Sequence, residues 1–157
     1  MYEHLLVATD GSKLSAKAVS HAIALAQALG GKLTAFYASP DYPMPVYAEG
    51  VSYMPMTRKA YTALCRKEAD EILKPISLKA EAAGLEFNSA HVIAAAPWEA
   101  ILAAARRNKC DAIVMASHGR RGISALLLGG PDAFLPPTIA RVASPRQRAH
   151  AGQREPV

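Results

Sequence analysis

Residues 4–9 read HLLVAT, a short apolar run that is broken by Asp10, Gly11 and Ser12. A strand that is buried on both faces of a parallel sheet reads as a near-continuous apolar run rather than an alternating one. The polar turn after it is typical of a connection into a helix. This stretch therefore predicts a central parallel strand whose carboxyl end opens onto a polar turn.

The rest of the chain alternates helices with further strands. Helical spacing of apolar residues over 12–29 predicts a first helix, which Gly30 and Gly31 end. Further strands are predicted at 32–38, 85–93 and 111–116, with helices at 57–83 and 97–107. This alternation indicates βαβ units with right-handed crossovers. We therefore predict a single α/β domain: an open, mostly parallel sheet flanked by helices, Rossmann-like in architecture.

Two segments interrupt this pattern. Pro75 stands inside the helix predicted at 57–83. Because proline lacks an amide N–H and clashes with the preceding turn, we expect a kink or a split there. Residues 39–56 are rich in proline and tyrosine and predict an irregular connection. Such a connection can simply pack, or it can serve as a lid over a ligand or as a partner surface.

Composition narrows the class of protein. The 157 residues are 51% hydrophobic and 20% charged, which suits one domain with a real core. No apolar run approaches the ~20 residues of a membrane span, and the charged N-terminus is unlike a signal peptide. Cys65 and Cys110 lack metal-ligand spacing, so we expect packed thiols and a cytoplasmic protein. The net charge of +5 suits anionic ligands without requiring nucleic acid.

The common catalytic signatures are absent from the sequence. It contains no phosphate loop of the GxxxxGK[ST] type, no GxGxxG after the first strand, no GxSxG elbow and no HExxH. We therefore predict no catalytic residues and no metal site. In a parallel sheet, ligands bind beyond the carboxyl ends of the strands. The candidate site thus consists of the turns at residues 9–12 and 116–119, provided that the first and fourth strands are neighbours.

Residues 117–130, SHGRRGISALLLGG, resemble a motif of the universal stress protein family. Its members end the fourth strand with Gly-x-x-Gly, nine residues, and then Gly-Ser or Gly-Thr. The opening VATDGS, residues 7–12, is similar to the family's first strand and turn. The resemblance covers roughly residues 1–130. It implies a five-stranded fold like that of the adenine nucleotide alpha hydrolases, which often dimerises through its last strand. It further implies the nucleotide-binding branch of the family, which binds ATP, with or without Mg²⁺.

The resemblance also implies which residues hold the nucleotide. Asp10 would lie beside the adenosine, Ala8 and Thr9 would line the base, and Ala38 would offer a backbone group to the adenine. Glycines in the loop would let backbone N–H groups approach phosphate oxygens. The implied residues of the loop and its flanks are Met115, Ala116, Ser117, His118, Gly119, Arg120, Gly129 and Gly130.

Simpler roles compete with these assignments. Asp10 could instead cap the first helix. His118 fits a turn residue better than a catalyst. Arg120 and Arg121 are explained as solvated loop charges, with phosphate contact as the alternative.

The chain departs from the family pattern at its second half. Ala116 replaces the first motif glycine, and Gly130 replaces a hydroxyl residue that would contact phosphate. Residues 131–157 are rich in proline and arginine where the family has a helix and a final apolar strand. We therefore divide the chain into a domain at 1–130 and an atypical, partly disordered segment at 131–157. The final edge strand is expected to be missing or altered, which puts the homodimer contact in question.

Three functions fit these observations. The first is a stress-response regulator that binds ATP or a related adenine nucleotide and hydrolyses it slowly at most, because no carboxylate pair for Mg²⁺ stands out beyond Asp10. The second is an interaction module of the same fold that binds no nucleotide, as Ala116 and Gly130 favour. The third is an enzyme of a related fold, such as an adenylyl transferase, which lacks a motif of its own here.

Overall fold

The computed structural model describes residues 2–43, 46–48, 51–53, 56–116 and 138–142. Strands and helices alternate along the first part of the chain, as predicted. In chain order the elements are β1 (His4–Thr9), α1 (Lys13–Leu29), β2 (Lys32–Ser39), β3 (Val46–Ala48), β4 (Val51–Tyr53), α2 (Arg58–Ala82), β5 (Phe87–Ile93), α3 (Pro97–Arg107), β6 (Ala112–Met115) and β7 (Thr138–Arg141).

Five strands form one sheet in the order β5–β2–β1–β6–β7. β1 pairs in parallel with β2 on one side and with β6 on the other, and β2 pairs in parallel with β5. The apolar run predicts this central place correctly, since Leu5, Leu6 and Val7 are at most 1% exposed. The predicted α/β fold, a mostly parallel sheet flanked by helices, is confirmed, and so is the neighbourhood of the first and fourth predicted strands.

Helices cover both faces of the sheet. Alternate residues of a strand point to opposite faces, so Leu5 and Val7 join a core with α1 and α2, while Leu6 packs with α3. The thiols of Cys65 and Cys110 are both free and buried, as predicted. Burial raises the pKa of the Cys110 thiol to about 11, which keeps it protonated at neutral pH.

The amino end of β1 is fastened to β6 by one carboxylate. An oxygen of Asp111 accepts hydrogen bonds from the backbone N–H groups of Glu3, at 2.7 Å, and His4, at 2.8 Å. The N–H of Asp111 in turn donates to the carbonyl of His4 at 2.8 Å. These contacts join residues more than a hundred positions apart and fix the β1–β6 register at the amino ends of the two strands.

The final edge strand of the sheet, next to β6, is altered rather than missing. The four-residue strand β7 pairs antiparallel with β6, from Ala112 opposite Arg141 to Met115 opposite Thr138. A crossover helix before the last strand would have made it parallel. These residues therefore join the sheet, although they belong to the segment for which we expected partial disorder. The remainder of residues 131–157 lies outside the described part of the chain.

Two expectations about the connections are corrected. Helix α2 is not split at Pro75, because Leu73 and Ile76, close to the proline on either side, are both only 7% exposed and hold the helix on the sheet, while the expected kink stays a prediction. The predicted irregular connection contains the antiparallel pair β3–β4.

Both ends of that connection are fastened beside the first turn of α2. The ring of Tyr42 meets Tyr61 edge-on, with centroids 5.3 Å apart, and Arg58 lies 5.0 Å from the Tyr42 centroid. The Tyr61 hydroxyl donates to the Pro40 carbonyl at 2.8 Å. Within the described ranges, no helix is both long and apolar enough to cross a membrane.

Candidate functional site

The turn after β1 is held by a carboxylate and a helix cap. The N–H of Ser12 donates to Oδ1 of Asp10 at 2.9 Å, and the N–H of Ser15 donates to Oγ of Ser12 at 3.1 Å. Ser12 is in extended conformation and is the N-cap of α1. The N-cap is therefore Ser12 and not Asp10. The carboxylate of Asp10 instead accepts from the N–H two residues later, which is an Asx turn.

A directed chain of hydroxyl groups lies beneath this turn. Ser15 Oγ donates to the Ser12 carbonyl at 2.9 Å, which uses its one proton. Thr9 Oγ1, 2.9 Å from Ser15 Oγ, must then donate to it, and Thr9 accepts from the Gly11 N–H at 3.2 Å. Thr9 and Ser15 are only 9% and 3% exposed. The Thr9 side chain is thus committed to the α1 side of the sheet.

Gly11 is required at this turn for two reasons. Its φ of +75° is a conformation that side chains with a Cβ rarely adopt. A Cβ built there would also lie 2.9 Å from Cδ1 of Ile72, in α2. The turn therefore leads into α1 close to Ile72 of α2, and its backbone conformation at position 11 favours glycine.

Three of the predicted site residues share the opposite face of the sheet. Ala8, Ala38 and Met115 pack against the apolar cluster that includes α3. The β1–β6 register ends with Val7 opposite Val114, so Met115 follows beside Ala8. Since Thr9 points to the other face, it offers only its backbone to a ligand on the α3 side.

The end of β2 extends past the end of β1. The last residue pair between β1 and β2 is Thr9–Tyr37, whereas β2 continues through Ala38 to Ser39, which pair only with β5 among the described strands. This step at the carboxyl edge brings the predicted adenine-contacting residue next to the open turn.

The tip of β2 is also anchored to β5 by a histidine. Ser39 is fully buried, and its Oγ lies 2.8 Å from Nε2 of His91. The His91 ring stacks on Tyr37 with centroids 5.6 Å apart and an interplanar angle of 15°. Burial lowers the pKa of His91, although Asp70 acts in the opposite direction, so the ring is neutral at neutral pH. This anchor keeps the backbone at Ala38 in place.

The structure brings together part of the predicted site. Ala8, Asp10, Ala38, Met115 and Ala116 lie at the carboxyl ends of three adjacent strands, and Ala116 is partly buried. The predicted residues Ser117, His118, Gly119, Arg120, Gly129 and Gly130 lie outside the described residues. No group of three or more His, Cys, Asp or Glu side chains suited to a metal occurs in the part of the chain that the structure describes.

The supporting roles of Ser15, Ser39 and His91 were not predicted from the sequence. Ser12 lies in the turn predicted at residues 9–12, and its role as N-cap follows from its place before a helical pattern, since serine is a preferred N-cap residue. Ser15 and His91 carry no such signal, because their partners are set by the packing of α1 and by the β2–β5 register.

The parallel strand order, the helices on both faces and the polar turn at the carboxyl end of β1 define the chain as a doubly wound α/β protein. One family of this class matches most of the chain. The universal stress protein family matches residues 1–133, so this chain belongs to that family. Universal stress protein MJ0531 of Methanocaldococcus jannaschii is 30% identical over 132 residues, which cover 82% of this chain and 72% of that protein.

Solved structures agree with this assignment. A universal stress protein crystallised in complex with cAMP is 27% identical, with a TM-score of 0.53, and the match covers 80% of this chain and 78% of that one. A universal stress protein family member from Burkholderia pseudomallei is 24% identical, with a TM-score of 0.62 over 74% of this chain and 83% of that one. The second similarity concerns the fold alone.

Proposed function

We propose that this chain binds an adenine nucleotide, ATP or a close relative of it, at the carboxyl ends of β1, β2 and β6, and that it acts as a regulator rather than as an enzyme with rapid turnover. The observation that carries the proposal is the common position of Ala8, Ala38 and Met115 on one face, next to the preformed turn at Asp10. The cAMP complex of a relative that is 27% identical supports the ligand class.

The shape of this edge suits a planar base. Ala8 and Ala38 are only partly buried and have the smallest side chains that a strand can present apart from glycine. Within the described ranges, the step between β1 and β2 leaves the β1 side of Ala38 and Ser39 without a strand partner. Backbone groups there recognise the base through hydrogen bonds, as is common in pockets that are largely apolar.

The turn at Asp10 suits the ribose. In doubly wound nucleotide-binding folds, a carboxylate at the carboxyl edge of the sheet accepts hydrogen bonds from ribose hydroxyls. The N–H of Ser12, which donates to this carboxylate, and the hydroxyl chain through Thr9, which accepts from the Gly11 N–H, hold it in position. Binding at a preformed turn costs less ordering entropy than binding at a loop that must first be organised. The phosphates are assigned to the loop after Ala116, and the cytoplasmic location and the homodimer stay predictions.

The test is titration calorimetry with Mg²⁺-ATP and, separately, with cAMP, on the full chain. In the variant Gly119→Val, a branched side chain would block the approach of phosphate to the loop backbone. Because hydrogen bonds to a charged group contribute about 1.5–3 kcal/mol each, we expect at least a ~10-fold loss of ATP affinity.

The matched control is Ala103→Val, which adds the same branched side chain to the exposed side of α3. It should bind ATP like the original protein. If the original protein shows no binding heat with either nucleotide at millimolar concentration, the proposal fails, and the interaction module without a nucleotide becomes the better explanation.

A further inference from the structure

The first turn of α3 carries a large apolar side chain that is mostly in contact with solvent. Trp98 is 57% exposed, and it is the single tryptophan of the 157-residue sequence. An isolated exposed apolar residue is ordinary on a protein surface. The position of Trp98 relative to the candidate site, however, points to a function for this side chain.

Trp98 lies on the inner side of α3. Residues three, four and seven positions apart share one side of a helix, and those following Trp98 at these spacings are Ile101, Leu102 and Ala105. Ala105 is fully buried, and the other two are partly buried against the α3-side cluster. The tryptophan therefore continues the row of residues that packs on the sheet, one turn before Ile101.

Trp98 is exposed because this row extends past the end of the sheet. The N–H of Ala94 donates to the Ser39 carbonyl at 3.0 Å, so the chain passes the tip of β2 at that point. Helix α3 begins at Pro97, after this point, and then runs back along the sheet. Its first turn thus stands at the carboxyl edge, on the face that Ala8 and Ala38 share.

We propose that Trp98 forms the outer wall of the nucleotide pocket and stacks on the purine ring, so that it is a specificity-determining residue of the site. This inference rests on the proposed function. The small, partly buried side chains of Ala8 and Ala38 form the inner wall, and the first turn of α3, on the same face of the sheet, carries the outer one. Indole offers a large rigid surface for offset stacking on a base.

Stacking has a defined consequence for ligand choice. A purine covers more of an indole than a pyrimidine does, so ATP should bind more tightly than CTP or UTP for this reason alone. The stacking contribution does not involve the phosphates. Substitution of Trp98 should therefore weaken adenosine and ATP by the same factor and leave the affinity for inorganic triphosphate unchanged.

The experiment combines calorimetry with the fluorescence of the single tryptophan. We expect ATP to change the emission of Trp98 with the same midpoint as the calorimetric titration. Trp98→Ala should bind ATP and adenosine about 10-fold or more weakly, since base–aromatic stacking is among the stronger single contacts of a base. Trp98→Phe, which keeps an aromatic ring, should retain most of the affinity.

Leu78→Ala is the control variant, because Leu78 is equally exposed, at 59%, but lies on α2. Unchanged ATP affinity in Trp98→Ala overturns the inference and leaves the proposed function standing, whatever the emission does. Emission that shifts with protein concentration in the absence of nucleotide assigns Trp98 to a contact between copies of the chain and also overturns it. Absence of binding heat in the original protein refutes the proposed function, and this inference with it.

Discussion

Ser15 shows how one buried hydroxyl can hold a turn that lies several residues away. It donates to the carbonyl of Ser12 and accepts from Thr9, which in turn accepts from the N–H of Gly11. The side chains of Thr9 and Ser15 are buried against α1, so each of these two hydroxyl groups needs its partner within the protein. The conformation of the residues around Asp10 therefore depends on a side chain in the first turn of the helix.

Ser15→Ala should destabilise the folded protein. The substitution leaves the Thr9 hydroxyl without an acceptor in a buried position, and an unsatisfied buried donor costs about 1–3 kcal/mol. The free energy of unfolding in urea is the measurement. Ser20→Ala is the matched control on the same helix, because Ser20 is exposed and donates only to the Ala16 carbonyl at 3.1 Å. Equal urea midpoints for the two variants would contradict the importance of the hydroxyl chain.

The sequence predicted the role of an individual site residue only where that residue type has a single usual role in its position. The position of Asp10 after an apolar run located the turn, and the glycine at position 11 fits its φ of +75°. The sequence left the role of Asp10 open between a ligand contact and a helix cap. The structure excludes the cap because Ser12 occupies it. Which hydroxyl serves which partner depends on angles that no spacing in the sequence encodes.

At the scale of elements, Pro75 locally disfavours the helix α2, and the packing of α2 on the sheet outweighs this effect. Pro75 provides no N–H for the Glu71 carbonyl, yet the helix extends seven residues further, to Ala82. Its buried row, which includes Leu73, Ile76 and Ala80, supplies apolar burial on both sides of the proline. Tertiary packing therefore decides where this helix ends, and the local preference for a break does not.

Pro75→Ala should make the protein more stable. Alanine restores the missing hydrogen bond and removes the steric clash, which together are worth up to about 3 kcal/mol in a helix interior. The unfolded chain gains freedom when proline is lost, which opposes the effect by about 0.4–1 kcal/mol. We therefore expect a net gain of about 1–2 kcal/mol, measured as a higher urea midpoint.

Lys74→Ala is the control for this prediction, since Lys74 is the exposed neighbour of Pro75 in the same helix. It should change stability by no more than about 0.5 kcal/mol. A loss of stability in Pro75→Ala would mean that α2 is bent at this position in a way that its packing requires.

Long periodic elements were predictable from the sequence and short ones were not. The predicted spans of α1 and α3 and of the four parallel strands agree with the structure to within a few residues. β3, β4 and β7 have three or four residues each, which is too short for an alternating pattern to be recognised. The antiparallel direction of β7 was also beyond prediction, because it depends on how the chain returns to the free edge of β6.

At the scale of the whole molecule, β7 decides how much of the carboxyl-terminal segment belongs to the domain. It protects the edge of β6, which would otherwise present unpaired backbone groups. Val142 extends this contact, because its N–H donates to the Asp111 carbonyl at 2.8 Å and its side chain packs on the α3-side core. The domain therefore reaches residue 142, beyond the boundary at 130 that composition indicates.

Two truncations test this boundary. A chain that ends after Pro137 lacks β7 and should melt about 4–8 °C lower than the full chain, a shift that corresponds to ~2 kcal/mol for a domain of this size. A chain that ends after Val142 keeps the strand and should melt close to the full-length value. Differential scanning calorimetry measures both. Identical melting temperatures for the two truncated chains would show that β7 contributes nothing to stability.

The long-range fastening between Asp111 and the amino end of β1 also affects the order of events during synthesis. β1, β2 and β5 can assemble once residue 93 is available, but β6 is missing at that time. The roughly 20 residues from the end of β5 to the end of β6 take about 1–4 s to translate at 5–20 residues per second. During that interval the nascent chain carries three of the five strands with the β6 side of β1 unpaired, and this edge is open to non-native pairing and aggregation.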